Sequence, residues 1–273
     1  MTRSMPLKPD PEEHPDGTLF SCRNLSVKIE GKLLLSIEEL KFRSSLVTGL
    51  IGHNGSGKST LLKLLARQMS ASSGDVFFGD KSLQEWDRRE FARSVAYLAQ
   101  DTPPTRGLLV RELVALGRYP WHGAFGRYSE TDADKTEDAM KLTDILHLAD
   151  RLVDTLSGGE RQRAWIAMMV AQDARCLLLD EPISALDIAH QVEILDLLRN
   201  LSQTRGLTVV VVLHDLNMAA RYCDRLVALK NGHCVASASP AELMQAPVLK
   251  DVFGISMSVV PHPAEQGVLA YVD

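Results

Sequence analysis

The stretch Leu46–Met69, LVTGLIGHNGSGKSTLLKLLARQM, decides the fold. Its apolar run stops at Gly52, which reads as a buried strand entering a glycine-rich loop. Leu61, Leu62, Leu64 and Leu65 then recur at helical spacing and predict a helix from Lys58 to Met69. Between strand and helix, GHNGSGKS satisfies G-x-x-x-x-G-K-[ST] through Gly52, Gly57, Lys58 and Ser59. Glycines let backbone N–H groups turn toward an anion, and a helix N-terminus adds a favourable dipole. In that chemistry Lys58 neutralises β/γ-phosphates and Ser59 holds Mg²⁺. The candidate nucleotide-binding residues are therefore Gly52, His53, Asn54, Gly55, Ser56, Gly57, Lys58, Ser59 and Thr60, and ATP with Mg²⁺ is the expected ligand pair.

Working outward, the text before this unit, Phe20 to Leu46, reads as short strands. After it come a hairpin-like GDVFFGD, a buried strand SVAYLAQ and, past Gln100, a run of helices to about Asp154. From Ser157 a helix runs to about Gln172, CLLLDEP is a core strand, IAHQVEILDLLRNLSQTRG is an amphipathic helix and LTVVVVLHD another core strand. Strands alternating with helices imply a largely parallel sheet. VALKNGHCVA carries Asn-Gly between apolar runs and predicts a tight hairpin, and SPAELM places Ser239, Pro240 and Glu242 to start a short helix. The four prolines of residues 1–17 predict a short disordered leader, and residues 261–273 form a tail of no evident role.

Composition narrows the function. A net charge of −5 with 5% aromatic residues offers neither an electrostatic footprint nor stacking platforms for nucleic acid, so none is expected as a partner. The four cysteines form no C-x-x-C pair and no dense framework, which points to a reducing compartment. No window approaches the ~20 apolar residues of a membrane span, and the N-terminus has no signal-peptide core.

Further candidates sit at strand ends. Asp180 closes CLLLDE, where it can reach a magnesium ion, and Glu181 beside it can activate water for in-line attack on a γ-phosphate. His214 and Gln100 end two other predicted strands, and ligands of open α/β sheets bind at that edge. TLSGGERQRAW, Thr155–Trp165, is locally a capping box in which Ser157 caps and Glu160 reaches back. Glycines at the first helical positions cost roughly 1 kcal/mol each, so bare backbone at Gly158 and Gly159 should serve something, with an anion the natural candidate.

LSGGERQ, together with GHNGSGKST, Gln100, LLLDEP, SALD and LHD, resembles the ATP-binding cassette of ABC transporters, in order and over nearly the whole chain from about Leu19. The resemblance implies an α/β P-loop NTPase (RecA-like) core with an antiparallel β subdomain and an inserted α-helical subdomain at about 101–156, the cassette spanning 18–260. It implies that Glu181 is the catalytic base, His214 the switch histidine and Gln100 a sensor and magnesium contact beside Ser59 and Asp180. It implies that Ser157, Gly158, Gly159, Glu160 and Asp187 face ATP held by a second protomer, so that a homodimer is expected. Two positions depart from the family pattern: Ile29 stands where an adenine-stacking aromatic is usual, and Ile183 gives DEPIS for DEPTS.

A cassette without a span implies a separate integral membrane permease, with a periplasmic substrate-binding protein acting indirectly and this chain peripheral on the cytoplasmic face of the inner membrane. GRYPWHGAFGR and HDLNMAARYCD are similar to the importer ATPases for iron–siderophore complexes and cobalamin, and within them to those for ferric hydroxamates. Tyr119, Trp121, Phe125 and Tyr128 in that region read either as a small aromatic core or as a docking surface. Soluble ABC ATPases are the contrasting class. The interval from Lys58 to Ser157 holds no sustained heptads for a chromosome-type coiled coil, and one cassette per chain differs from the translation-associated type.

Overall fold

Every side chain of the strand Val47–Ile51 is buried, as is every side chain of Cys176–Leu179 and Thr208–Val212. Strands of this kind need cover on both faces, and continuous Val, Leu and Ile supply the apolar surface for it. The computed structural model describes residues 17–123, 126–262 and 267–273, so the expected leader, apart from Gly17, and Phe125 lie outside the described residues. The chain divides into two compact units: one reaches Glu85 and resumes at Arg199–Asp273, and the other is Trp86–Leu198.

In the first unit the sheet runs in the order Lys81–Ser82, Ser73–Phe78, Thr18–Ile29, Lys32–Arg43, His233–Ala238, Arg225–Lys230, Val47–Ile51 and Thr208–Val212. Val47–Ile51 pairs in parallel with the strands on both sides, Thr48 opposite Val210 and Arg225, while the remaining pairs are antiparallel apart from one parallel contact of His233 with Ser36. The text from Phe20 to Leu46 forms two 12-residue strands rather than several short ones. Polar residues such as Arg23, Asn24, Glu38, Glu39 and Lys41 interrupt the apolar text but sit exposed within continuous antiparallel strands, and the turn is closed by Glu30 and Gly31, both at positive φ (50° and 79°) as a tight hairpin requires. Asn231 and Gly232 make the other hairpin in the same way, with Lys230 opposite His233.

The helix after the glycine loop covers Lys58–Leu65 and stops short of Met69, because Arg67 turns left-handed at φ 54°. Leu61, Leu62, Leu64 and Leu65 are all buried on it. Within the tail, Val268–Val272 pairs antiparallel with Met257–Pro261.

The second unit pairs Val95–Leu98 in parallel with Cys176–Leu179. Around this pair it places the helices Arg88–Ser94, Val110–Leu116, Tyr119–His122, Glu130–Leu142, Gly158–Ala171 and most of Ile188–Arg205. Its interior includes a buried ion pair: Arg118 Nε donates to Asp132 Oδ1 at 2.9 Å and Arg118 Nη1 to the Ala171 carbonyl at 2.7 Å. Burial pushes the Asp132 carboxyl up, but the Ser129 backbone N–H, Arg118 and the Ser129 hydroxyl outweigh it and hold the group at about 2.

Candidate active site

The glycine loop leaves its strand through Gly52, Gly55 and Gly57, at φ 138°, 76° and 103°. A Cβ on Gly52 would lie 2.1 Å from the Leu229 carbonyl oxygen and one on Gly57 2.9 Å from Leu35, so only glycine fits both the dihedral and the space. Lys58 is buried and bends back, its Nζ donating to the Gly52 carbonyl at 2.8 Å and the His53 carbonyl at 2.9 Å. The ammonium is thus held inside the concavity of the loop. No side chain caps the helix Lys58–Leu65. Ser56 Oγ is buried without a hydrogen-bond partner among the described residues, an unsatisfied donor in a loop shaped for an anion. Ser59 and Thr60 lie half-buried in the first turn, while His53, Asn54 and Gly55 are exposed. These observations fit a phosphate group with its metal at Ser59.

His214 is exposed two residues past the strand Thr208–Val212. With Gly52, His53, Asn54 and Phe253 it lines an open cavity of about 480 Å³. Asp215 accepts from the Met218 N–H at 2.8 Å and caps the helix Leu216–Tyr222, which explains the acid of LHD structurally. In the first unit, then, the structure brings His214 to the glycine loop.

Within the second unit, Asp180 directly follows the strand Cys176–Leu179 and is 3% exposed, and Glu181 comes next at φ 52°, a left-handed conformation that costs a non-glycine residue of order 1–3 kcal/mol. Gln100 Nε2 donates to Glu181 Oε2 at 2.9 Å, so the two strand-end candidates meet. Ile183 is buried, and an apolar residue therefore suits the position where DEPIS departs from DEPTS. Tyr97 was not anticipated: its buried hydroxyl lacks a hydrogen-bond partner among the described residues, and burial, then the Asp180 charge, pushes the phenol up to about 12.

The helix Gly158–Ala171 starts with the expected capping box, Ser157 N–H donating to Glu160 Oε2 at 2.8 Å and Glu160 N–H to Ser157 Oγ at 3.3 Å. The Ser157 backbone and hydroxyl bonds hold the Glu160 carboxyl below its ordinary range. The two glycines serve differently. A Cβ on Gly158 would meet only Leu186 at 3.3 Å, whereas one on Gly159 would fall 2.2 Å from the ring of His190. His190 in turn has Nδ1 2.9 Å from both carboxylate oxygens of Asp187, and its backbone N–H bonds the same side chain at 3.0 Å. Those contacts hold the Asp187 carboxyl down. Asp187 and Gly159 are thereby brought together through a histidine that no motif flags.

The ABC transporter family profile matches residues 35–184, more than half of the chain. The chain belongs to the ABC transporter family. It is an ATP-hydrolysing subunit of that family, and it groups with the ATP-binding subunits of siderophore import systems. It is 44% identical to the ferric enterobactin transport ATP-binding protein of Escherichia coli over 79% of this chain and 80% of that one. Against the iron(3+)-hydroxamate import ATP-binding protein of Bacillus subtilis the identity is 38%, over 89% and 91%. Among solved structures, a chain of an ABC transporter described as metal-chelate type, in an inward-facing conformation, superposes with a TM-score of 0.81 at 24% identity, covering 93% of this chain and 97% of that one, and so shares the fold.

The aromatic segment of the second unit lies partly at the surface. Tyr119 and Tyr128 are 54% and 46% exposed and Trp121 is 36% exposed, while the His122 ring meets those of Tyr119 and Tyr128 edge to face at 6.2 Å each. Trp121 is fixed in place: its Nε1 donates to the Gln172 carbonyl at 2.7 Å, and the guanidinium groups of Arg93 and Arg118 each lie 4.9 Å from its ring centroid. Ile29 is 46% exposed, and no helix among the described residues is long and apolar enough to cross a membrane.

Proposed function

We propose that a homodimer of this chain binds and hydrolyses ATP on the cytoplasmic face of the inner membrane, and that this energises import of ferric hydroxamate siderophores through a separate permease fed by a periplasmic binding protein. The observation that carries the reading is the similarity to siderophore-import ATP-binding proteins over most of both chains, joined to a complete motif set. A ferric catecholate is the second reading, favoured by the higher identity to the enterobactin protein.

In this mechanism Gly52–Thr60 hold the β/γ-phosphates, with Lys58 supplying the positive charge. Ser59, Asp180 and Gln100 would hold Mg²⁺, which would neutralise developing phosphate charge. Glu181, aimed by its left-handed backbone and by Gln100, takes the proton of the attacking water, and His214 contacts the γ-phosphate side. Ser157, Gly158, Gly159, Glu160 and Asp187 close over the partner protomer's nucleotide, which makes dimer closure and ATP binding linked equilibria. Exposed Tyr119, Trp121 and Tyr128, backed by arginines, suit the permease contact.

The test is deletion of the gene, restoration with wild type or Lys58→Ala, and uptake of iron as ferrichrome, as a ferric catecholate, and of cobalamin. Ferrichrome uptake lost and rescued only by wild type is the expected result; loss of catecholate uptake alone selects the second reading, and no uptake defect refutes both. The split site is tested in mixed dimers, where one Ser157→Arg chain should stop hydrolysis in its partner's site while leaving its own nucleotide bound.

A further inference from the structure

The residues after Ser239 carry no motif of the site, yet they hold two of its loops. The helix Ala246–Phe253 buries Leu249 and Val252 and ends at Gly254, left-handed at φ 72°. Its last carbonyl, that of Phe253, lies 2.6 Å from His53 Nε2, and the two rings meet edge to face with centroids 5.5 Å apart. A carbonyl only accepts, so Nε2 carries the proton and donates. Lys230, one residue before the Asn231–Gly232 turn, bonds the Asp251 carbonyl and side chain and fastens the same helix. That turn itself braces the glycine loop, Gly232 N–H donating to the Ser56 carbonyl at 3.1 Å.

Farther along, the strand Val268–Val272 grips the helix Leu216–Tyr222. Asn217 accepts from the Ala270 N–H at 2.9 Å and donates to the Ala270 carbonyl at 3.1 Å, a two-point clasp three residues after His214. Phe253 also lines the cavity shared by His53, Asn54 and His214. The C-terminal stretch therefore touches the glycine loop at one place and the His214 helix at another.

We infer that Phe253 and Asn217 are positioning residues for ATP turnover, through which the C-terminal helix and hairpin hold His53 and the His214 loop in their working places. Three glycines at left-handed φ leave the loop 52–57 with many conformations when nothing restrains it, and ordering them on binding lowers affinity. His53 and Asn54 are the exposed side chains of that loop, and His53 is tied down before any nucleotide arrives. The Phe253 ring is only half-buried, so a purely architectural part for it would be small.

The inference rests on reading Gly52–Thr60 as the ATP loop, and its test includes an arm that needs no nucleotide. Full-length Phe253→Leu, which keeps apolar bulk, and His53→Phe, which keeps a ring but loses the donor, are compared with Phe253→Tyr, which retains both contacts. In nucleotide-free protein, amide exchange at residues 53–57 should quicken about tenfold in the first two and stay near wild type in the third. The Kd for a fluorescent ATP analogue should rise about 3- to 10-fold, with KM following and kcat changing less than about twofold, as expected when the ring contact (Phe253→Leu) or the His53 hydrogen bond to the Phe253 main-chain carbonyl (His53→Phe) is lost. Asn217→Ala should quicken exchange at residues 214–218 and lower kcat with Kd unchanged. Unaltered exchange at both loops, or a fall in melting temperature with no change in Kd or kcat, overturns the inference. Quickened exchange in a protein whose wild type binds no nucleotide keeps the clasp and refutes the ATP reading instead.

Discussion

Replacing Gly159 by alanine separates two reasons for a bare backbone at the start of the helix Gly158–Ala171. The new Cβ would lie 2.2 Å from His190 Cδ2 and under 3.0 Å from Cγ and Nε2, so the ring must move. Moving it breaks the contact of Nδ1 with Asp187, 2.9 Å to each oxygen. Overpacking of this kind costs about 1–3 kcal/mol. Alanine recovers roughly 0.5–1 kcal/mol of helix propensity relative to glycine. The net is a loss on the order of 1 kcal/mol, or about 2–4 °C in melting temperature for a chain of this size. The assay is a double-mutant cycle with His190→Ala, followed by calorimetry and by ATP hydrolysis. If His190 is why position 159 is bare, Gly159→Ala costs little in the His190→Ala background, and the coupling energy is about 1 kcal/mol or more. Hydrolysis then reports the second reason: recovered stability without recovered turnover means that bare backbone also faces the partner's nucleotide. A Gly159→Ala chain as stable as wild type, or a double variant destabilised by the full sum, refutes the packing argument.

Glu181→Gln should keep nucleotide affinity within about twofold while lowering turnover by at least ~10²-fold, the range for loss of a general base, read by nucleotide binding and phosphate release. Breaking the buried pair by Asp132→Asn leaves Arg118 uncompensated and should cost about 3–5 kcal/mol, read by urea unfolding. The same pair sets an acid limit. Because the Asp132 carboxyl is held at about 2 against an ordinary value of 3.8, its contribution is complete above pH 4 and disappears as pH falls through 2, so the wild-type advantage over Asp132→Asn should shrink across that window. Ser239→Ala removes a capping box whose hydroxyl accepts from Glu242 N–H at 3.4 Å and should cost about 1 kcal/mol, checked by thermal unfolding.

Features written in consecutive residues were legible without coordinates. The spaced glycines ahead of the single lysine in GHNGSGKS, the leucine spacing of the helix after it, the Asn231–Gly232 turn and the Ser157–Glu160 box depend on dihedral preference and on hydrogen bonds spanning a few positions. A pattern of residue types states such things directly. Even so, the helix end at Leu65 was misplaced, because the left-handed Arg67 leaves no mark in the apolar period.

Tertiary structure decided what joins distant positions. Gly159 is bare because His190, 31 residues onward, occupies the volume a methyl group would need. Glu181 is left-handed, which its residue type disfavours, and meets Gln100 across 81 positions. Phe253 closes on His53 across 200 positions, where local periodicity carries no information about the partner. Residue types and spacing determined which chemistry this chain holds. The packing of segments far apart in sequence determined which side chains hold that chemistry still, since only volume exclusion and a completed hydrogen bond in three dimensions distinguish one distant partner from another.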